Sequence, residues 1–293
     1  MRQWLIPPAA VLAAVLLLLA LNTARNALGW QPLAQSPAQR QAMLAPHWRI
    51  LRPPGPGPHK AAILLSGCDG VHDNMAFWAG LMLDQGRAAM ILDSHAPHRL
   101  TVAQSWRAVC AGQILPGAER AGDLAVALAA LRWMPGIDPG DVAILGASHG
   151  GWTVMELLAE LARFAPPPGL TAWPAPRQEL AGQIGPVVLL YPYCGLLNGG
   201  AAATWPRQAR GLMILAQEDS ITNPRPCREM AGDLRAKGSD LRDVTLAGVD
   251  HGFDQRERSS LSPLEFDAAA RARATALVQD FLAGFASRPR PGI

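Results

Sequence analysis

Residues 141–152, DVAILGASHGGW, set a serine between two glycines, Gly146-Ala147-Ser148-His149-Gly150, where an apolar strand-like run gives way to a helix-like one. A serine hydroxyl is a poor nucleophile at neutral pH and requires a base within hydrogen-bond reach, itself oriented by a carboxylate. A sharp strand-to-helix turn lifts such a serine into the open, and only small flanking residues avoid a clash there, which is the part expected of Gly146 and Gly150. The helix after Ser148 would aim its free N–H groups at the space where an oxyanion forms.

The base and acid are expected downstream, in the order serine, acid, histidine. Of the seven histidines, only His149 and His251 lie at or beyond Ser148. His149 adjoins the serine and would point away from it, so His251, in the loop Gly248-Val249-Asp250-His251-Gly252-Phe253, is the expected base. For the acid, an apolar strand runs into Ala216-Gln217-Glu218-Asp219-Ser220; Asp219 is the expected carboxylate and Glu218 its alternative. Asp250 and Asp254 stand too close in sequence to His251 to orient its ring easily. The oxyanion donors are expected to be the backbone N–H of His149 and that of Cys68, in the glycine-containing turn Ser66-Gly67-Cys68-Asp69-Gly70. Cys68 as a rival nucleophile lacks the elbow setting.

Substrate contacts are less legible. Arg99, with His95 and His98, follows a strand end and could meet an anionic substrate or simply be solvated; Trp152, Trp173 and Trp205 could line an acyl pocket or pack in the core.

These groups must be positioned by an alternation of strands and helices. Strands are expected at 47–51, 61–65, 88–93, 142–145, 186–191, 211–216 and 243–246. Helices are expected at 74–85, 118–133, 149–164, 226–237 and 263–285, with a proline-rich insertion at 165–176. Such alternation specifies an α/β fold with a mostly parallel central sheet and helices on both faces. Ligands bind such sheets beyond the carboxyl ends of the strands, where each motif above falls.

At 293 residues, 49% apolar and 17% charged, the chain has the composition of one large globular domain. A net charge of +3 with scattered arginines gives no support to nucleic-acid binding. Residues 1–29 differ in kind: one arginine precedes an uncharged apolar run, Leu5 to Leu21, about 25 Å long as a helix, which reads as a signal peptide or a retained membrane anchor. Residues 30–46 read as a polar tether and 47–293 as the folded domain. The four cysteines suit export, and Cys68–Cys110 with Cys194–Cys227 is the favoured of three pairings. The chain is therefore expected outside the cytoplasm, periplasmic, and held at the inner membrane by residues 5–21 if that run is kept. Neither a metal-ligand cluster nor a phosphate loop appears, so no metal and no cofactor is expected.

From His47 onward the chain resembles the dienelactone hydrolase family, of α/β-hydrolase fold. The resemblance is carried by LSGCDG (65–70), ILDS (91–94), GASHGG (146–151), YPYC (191–194), QEDS (217–220) and DHGF (250–253). Because the namesakes carry cysteine at the elbow, the chain is similar to the serine-bearing, esterase-like members. The resemblance implies hydrolysis of a small-molecule ester or lactone through an acyl-enzyme on Ser148, with Asp219 and His251. A peptidase or acyltransferase could use the same three residues, and a non-catalytic, anchored binding module could keep the fold.

Overall fold

The structure, a computed structural model, describes residues 8–31, 33–258 and 262–286. Within them the chain forms seven strands: β1 (Arg49–Leu51), β2 (His59–Leu65), β3 (Ala88–Leu92), β4 (Ile137–Ala147), β5 (Ile184–Leu190), β6 (Arg210–Ala216) and β7 (Asp240–Leu246). They make one sheet of order β1-β3-β2-β4-β5-β6-β7, in which β1 runs antiparallel to β3 and the rest are parallel.

β2 to β6 are near-continuous apolar runs because both faces of the sheet are covered. Alternate residues of each strand serve opposite cores. Ile63, Leu65, Met90, Ile144, Val187, Leu189 and Met213 face one core; Leu64, Ile91, Leu145, Val188, Leu190 and Ile214 face the other. The first core is closed by α5 (Gly117–Leu131), α6 (His149–Glu160), α7 (Arg177–Gln183) and α8 (Pro224–Ala236); the second by α3 (Asp73–Asp84) and α9 (Ala268–Ala286). The remaining helices are α1 (Pro8–Ala27), α2 (Pro37–Leu44) and the single turn α4 (Val102–Gln104), which runs on into a π-helical turn, Ser105–Val109. β7, at the edge, mixes polar and apolar residues, as a half-covered strand must.

Register brings the carboxyl ends of the central strands into line. Leu65 of β2 pairs with Gly146 of β4, Ala147 with Leu190 of β5, Leu190 with Ile214 of β6, and Ala216 with Leu246 of β7. The turns bearing Cys68, Ser148, Asp219 and His251 all leave from this one edge.

Three sequence expectations are corrected in their bounds by four residues or more. β4 begins at Ile137 rather than 142, because Ile137 and Asp138 pair with His59 and Lys60 before the register shifts. The helix from Ser148 stops at Glu160 rather than 164, leaving Phe164 exposed. The last helix begins at Ala268 rather than Pro263: the Asp267 carboxylate accepts from the Ala270 N–H at 2.9 Å, and Asp267 donates its own N–H to the Phe253 carbonyl at 2.8 Å.

Residues 30–46 are also more than a polar tether. Ser36 and Gln39 form a reciprocal capping box that starts α2. From α2, Arg40 reaches into the domain and pairs with Asp123 of α5 at 2.6 Å, while its other nitrogens bond Gln35 and the Gly169 carbonyl. Both charged side chains are almost wholly buried.

α1 covers most of the expected apolar run, whose residues 5–7 lie outside the described ones. It is 20 residues long, with a mean hydropathy of 1.8 in its most apolar window, long and apolar enough to cross a membrane. Pro8 to Leu21 is exposed throughout, whereas Asn22, Thr23 and Asn26 are docked on the domain. Two disulfides, Cys68–Cys110 and Cys194–Cys227, form in the favoured pairing.

Arg40→Ala leaves the buried Asp123 carboxylate without the cation bonded to it, a defect that costs about 3–5 kcal/mol. Urea unfolding of the variant should show a loss of that order; a loss under about 1 kcal/mol would mean that α2 contributes as little as an exposed ion pair does.

Candidate active site

The geometry of the turn at Ser148 follows from how little room there is around it. A Cβ on Gly150 would lie 2.3 Å from the Leu65 carbonyl oxygen, and one on Gly146 would lie 2.5 Å from the Gly150 carbonyl oxygen. Only hydrogen fits at either place. Ser148 itself takes φ 51° and ψ −113°, a conformation that side chains rarely adopt, and its N–H is held by the Leu190 carbonyl at 2.9 Å. The side chain is thereby raised above the strand ends, at the N-terminus of α6.

His251 meets it there. The Ser148 hydroxyl lies 2.9 Å from His251 Nε2, and His251 Nδ1 lies 2.8 Å from Asp219 Oδ2. A carboxylate can only accept, so Nδ1 carries the proton and Nε2 offers its lone pair to the serine O–H. That is the order of groups by which a histidine takes a proton from a serine as the oxygen attacks.

Asp219 is held as firmly as the ring it orients. Its Oδ1 accepts from the Ile221 and Thr222 N–H groups at 3.0 and 2.7 Å, and Oδ2 accepts from Thr222 Oγ1 at 2.9 Å. Burial opposes its ionisation, but the bond and charge of His251 and the Thr222 bonds outweigh burial and hold the carboxyl below the usual carboxylate range. The neighbouring acids do other work. Glu218 is exposed and sends its N–H to the Val249 carbonyl. Asp250 accepts from Ser220 N–H and Oγ at 2.7 and 2.9 Å, tying the acid turn to the histidine turn.

Asp254 is wholly buried and accepts from Trp78 Nε1 at 2.5 Å and from the Tyr191 hydroxyl. Tyr191 takes φ 35° past the end of β5, and its ring stands edge-on to His251 at 4.7 Å, bracing the imidazole from behind. Burial pushes the Tyr191 hydroxyl well above its ordinary value, so it remains a donor.

The turn after β2 passes beside the serine: a Cβ on Gly67 would be 3.7 Å from Ser148 Cβ, and Gly67 and Cys68 line the same hollow as Ser148. Behind this turn lies Arg120 of α5, fully buried, which donates to the Ser66 carbonyl at 3.3 Å and to His149 Nδ1 at 2.9 Å. Burial lowers the Arg120 guanidinium to about 10, leaving it charged at neutral pH. His149 thus points away from the serine into the interior, where burial first and the Arg120 charge second keep its ring neutral. His95 is also buried and bonds the Cys68 carbonyl through Nε2 at 3.0 Å.

Ser148 faces two hollows. One is lined by Trp106, Ile221 and Leu264 together with Asp69, Asn74, Gln255, Tyr191 and His251; the other by the Cys68–Cys110 disulfide, Ala111, Gly112, Trp152, Tyr193 and Leu197. Of the expected substrate contacts, Trp152 is therefore at the site, its ring 5.0 Å from that of Tyr193. Arg99 is not: it is exposed, closes a short 3-10 turn at φ 51°, and lines neither hollow. Trp205 is core, and Trp173 packs at the edge of the first core. Among the described residues no group of three or more metal-ligating side chains comes together.

The buried histidines give a test of this framework. Burial and the Arg120 charge lower His95 to about 4. The unfolded chain, with histidine near about 6.5, takes up the proton first, so stability present at pH 7 is lost as the pH falls from there towards 4, by about 3 kcal/mol for His95. His149 acts in the same direction. Urea unfolding between pH 7 and pH 4.5 should show this fall, and a shallower one in His95→Gln; identical slopes would mean that His95 is not held neutral.

No protein family and no curated protein matches this chain in sequence. Solved structures do match it in fold. A protein described as a dienelactone hydrolase, from Klebsiella pneumoniae, aligns over 82% of this chain and 92% of its own, at 19% identity and a TM-score of 0.60. A dienelactone hydrolase-like promiscuous phosphotriesterase from metagenomic libraries aligns over 79% and 88%, at 18% identity and 0.56. Esterase 2 of Thermogutta terrifontis, solved with propionate bound, aligns over 84% and 91%, at 16% identity and 0.57. The sheet, its helices and these neighbours together establish that the chain has the α/β-hydrolase fold.

Proposed function

We propose that the protein is a serine hydrolase that cleaves a carboxylic ester or lactone through an acyl-enzyme. The observation that carries this reading is the unbroken chain from Ser148 Oγ to His251 to Asp219 at 2.9 and 2.8 Å. The fold likeness to dienelactone hydrolase-like proteins and esterases supports it. Ser148 Oγ attacks the substrate carbonyl carbon as His251 Nε2 takes the hydroxyl proton, and Asp219 stabilises the imidazolium that results. The carbonyl oxygen becomes an oxyanion that the Cys68 and His149 backbone N–H groups receive, assisted by the N-terminal dipole of α6. Collapse of this intermediate breaks the ester C–O bond, and the departing alkoxide takes the proton from Nε2. Water then attacks the acyl-serine, again giving its proton to Nε2, and the carboxylic acid and free Ser148 are released.

The two hollows divide the substrate. The side with Trp152, Tyr193 and Leu197 suits an apolar acyl chain, and the side with Asp69, Asn74 and Gln255 suits a hydroxyl-bearing alcohol. Asp69 pairs with His72 at 3.2 Å and accepts from Gln255 at 2.8 Å. Its carboxylate at the wall of that hollow disfavours an anionic leaving group. Two disulfides and the N-terminal apolar helix fit an exported enzyme, and we place it in the periplasm, held at the inner membrane by α1.

The test is covalent labelling of the detergent-solubilised full chain with a fluorophosphonate. The wild type should label, and Ser148→Ala and His251→Ala should not. Asp219→Asn should retain the fold and lose about 10³–10⁴-fold in ester turnover. A folded wild type that neither labels nor turns over p-nitrophenyl esters would overturn the hydrolase reading.

A further inference from the structure

The loop Cys110–Gln113 serves two structures at once. Its inner side, Cys110 to Gly112, lines the apolar hollow beside Ser148. The carbonyls of Gly112 and Gln113 accept from the end of α1: Asn26 Nδ2 bonds the Gly112 oxygen at 2.8 Å, and Asn22 Nδ2 bonds the Gln113 oxygen at 2.7 Å. Gln113 returns a bond to Thr23 Oγ1 at 2.9 Å.

These polar residues begin where the apolar stretch of α1 ends at Leu21; Asn26 is buried and Asn22 and Thr23 are half-buried, and polar groups so matched belong to the fold. A membrane crossed by α1 therefore has its surface at residue 22, against the rim of the apolar hollow. The rim is dressed for that position. Leu196 is 95% exposed beside Leu197, which lines the hollow and touches Gly112; Leu28 and Trp30, just past α1, are 81% and 70% exposed. A tryptophan and leucines next to a spanning helix sit at the headgroup level of a bilayer.

We infer that this protein acts on esters that reside in the membrane, whose acyl chains pass from the bilayer into the apolar hollow between the loop Cys110–Gln113 and Leu197. The inference rests on the hydrolase reading and adds to it the source of the substrate. Lipids do not leave a bilayer readily, so an enzyme that uses them gains from a mouth held at the surface. α1 achieves this by bonding to the mouth itself rather than through a loose linker.

The full chain is reconstituted in phosphatidylcholine vesicles and given two substrates: soluble p-nitrophenyl acetate, and a long-chain acyl ester of umbelliferone embedded in the vesicles. A variant carrying Asn22→Ala, Thr23→Ala and Asn26→Ala, with a flexible Gly-Ser insertion of about 20 residues after Gln31, keeps the anchor but removes the side-chain bonds that tie it to the mouth. The wild type should hydrolyse both esters; the variant should match it on the soluble ester and fall about tenfold or more on the embedded one. As an independent readout, a bimane label on Leu196→Cys should be quenched by lipids that carry a nitroxide near the headgroup.

Equal rates on the embedded ester, or an unquenched label, would overturn the inference. A wild type that turns over the soluble ester alone would overturn it while the hydrolase reading stood. Turnover of neither ester would remove both.

Discussion

The constraint on which the rest of the structure depends is the contact between the Gly150 α-carbon and the end of β2, too close for any side chain. It presses the first turn of α6 onto the sheet, forces Ser148 to φ 51°, and fixes where its hydroxyl emerges. A non-glycine residue in that region costs about 1–3 kcal/mol, a sum offset by the two-sided burial of β2, β4 and β5. Once the serine is so placed, the other groups need only arrive at the correct height. The register of the parallel strands supplies that: every turn that contributes a group starts within a residue or two of the same level.

Arg120 is the second brace. A fully buried guanidinium is costly unless its donors are matched, and here its two terminal nitrogens bond the Ser66 carbonyl and, from one of them, the His149 ring. The cation thus joins the turn after β2 to the residue after the serine, the two places from which we propose that the oxyanion donors come. Asp123, three residues along α5, lends its field to Arg120 and pairs with Arg40 of α2. A helix that precedes the sheet in the chain is by this route connected to the back of the site. The nearly apolar α5 carries these charges on its buried face because they hold its neighbours, not because water reaches them.

Much of this was legible from residue types and spacing. The elbow, the acid turn and the histidine loop each combine a strand end with a polar group that chemistry needs, and Asp219, His251 and Ser148 come together as those patterns imply. What was not legible depends on contacts distant in sequence. Arg120 and Asp123, three apart in the alanine-rich GAERAGDLAVALAAL, carried a signal, since charges on the buried face of a helix demand partners, but nothing local identified Ser66, His149 or Arg40 as those partners. Tyr191 and Asp254 are joined across 63 residues, and a tyrosine after an apolar strand has no pattern that reveals its positive φ. The start of the last helix was misread because Pro263 looks like a first-turn residue, whereas Asp267 caps. Arg99 was proposed from its position after a strand end, and the short 3-10 turn that follows carries it off to the solvent.

The Cys68–Cys110 disulfide falls where ordinary packing runs out, whereas Cys194–Cys227 is buried in the first core. The turns after β2, β3 and β5 are long and irregular, and the loop at Cys110 has the apolar hollow on one side and the polar end of α1 on the other. Such a loop has no face to bury in a core, and its bonds to α1 hold only while the helix is in place. Linking Cys110 to Cys68 fastens it to the turn that passes beside Ser148, and closing a span of 42 residues restricts the unfolded chain by about 4 kcal/mol in the chain-entropy account. Cys194–Cys227 does the same for the turn after β5, securing it to α8. Both covalent ties thus lie at the carboxyl edge of the sheet, where Ser148, His251 and Asp219 must keep their distances.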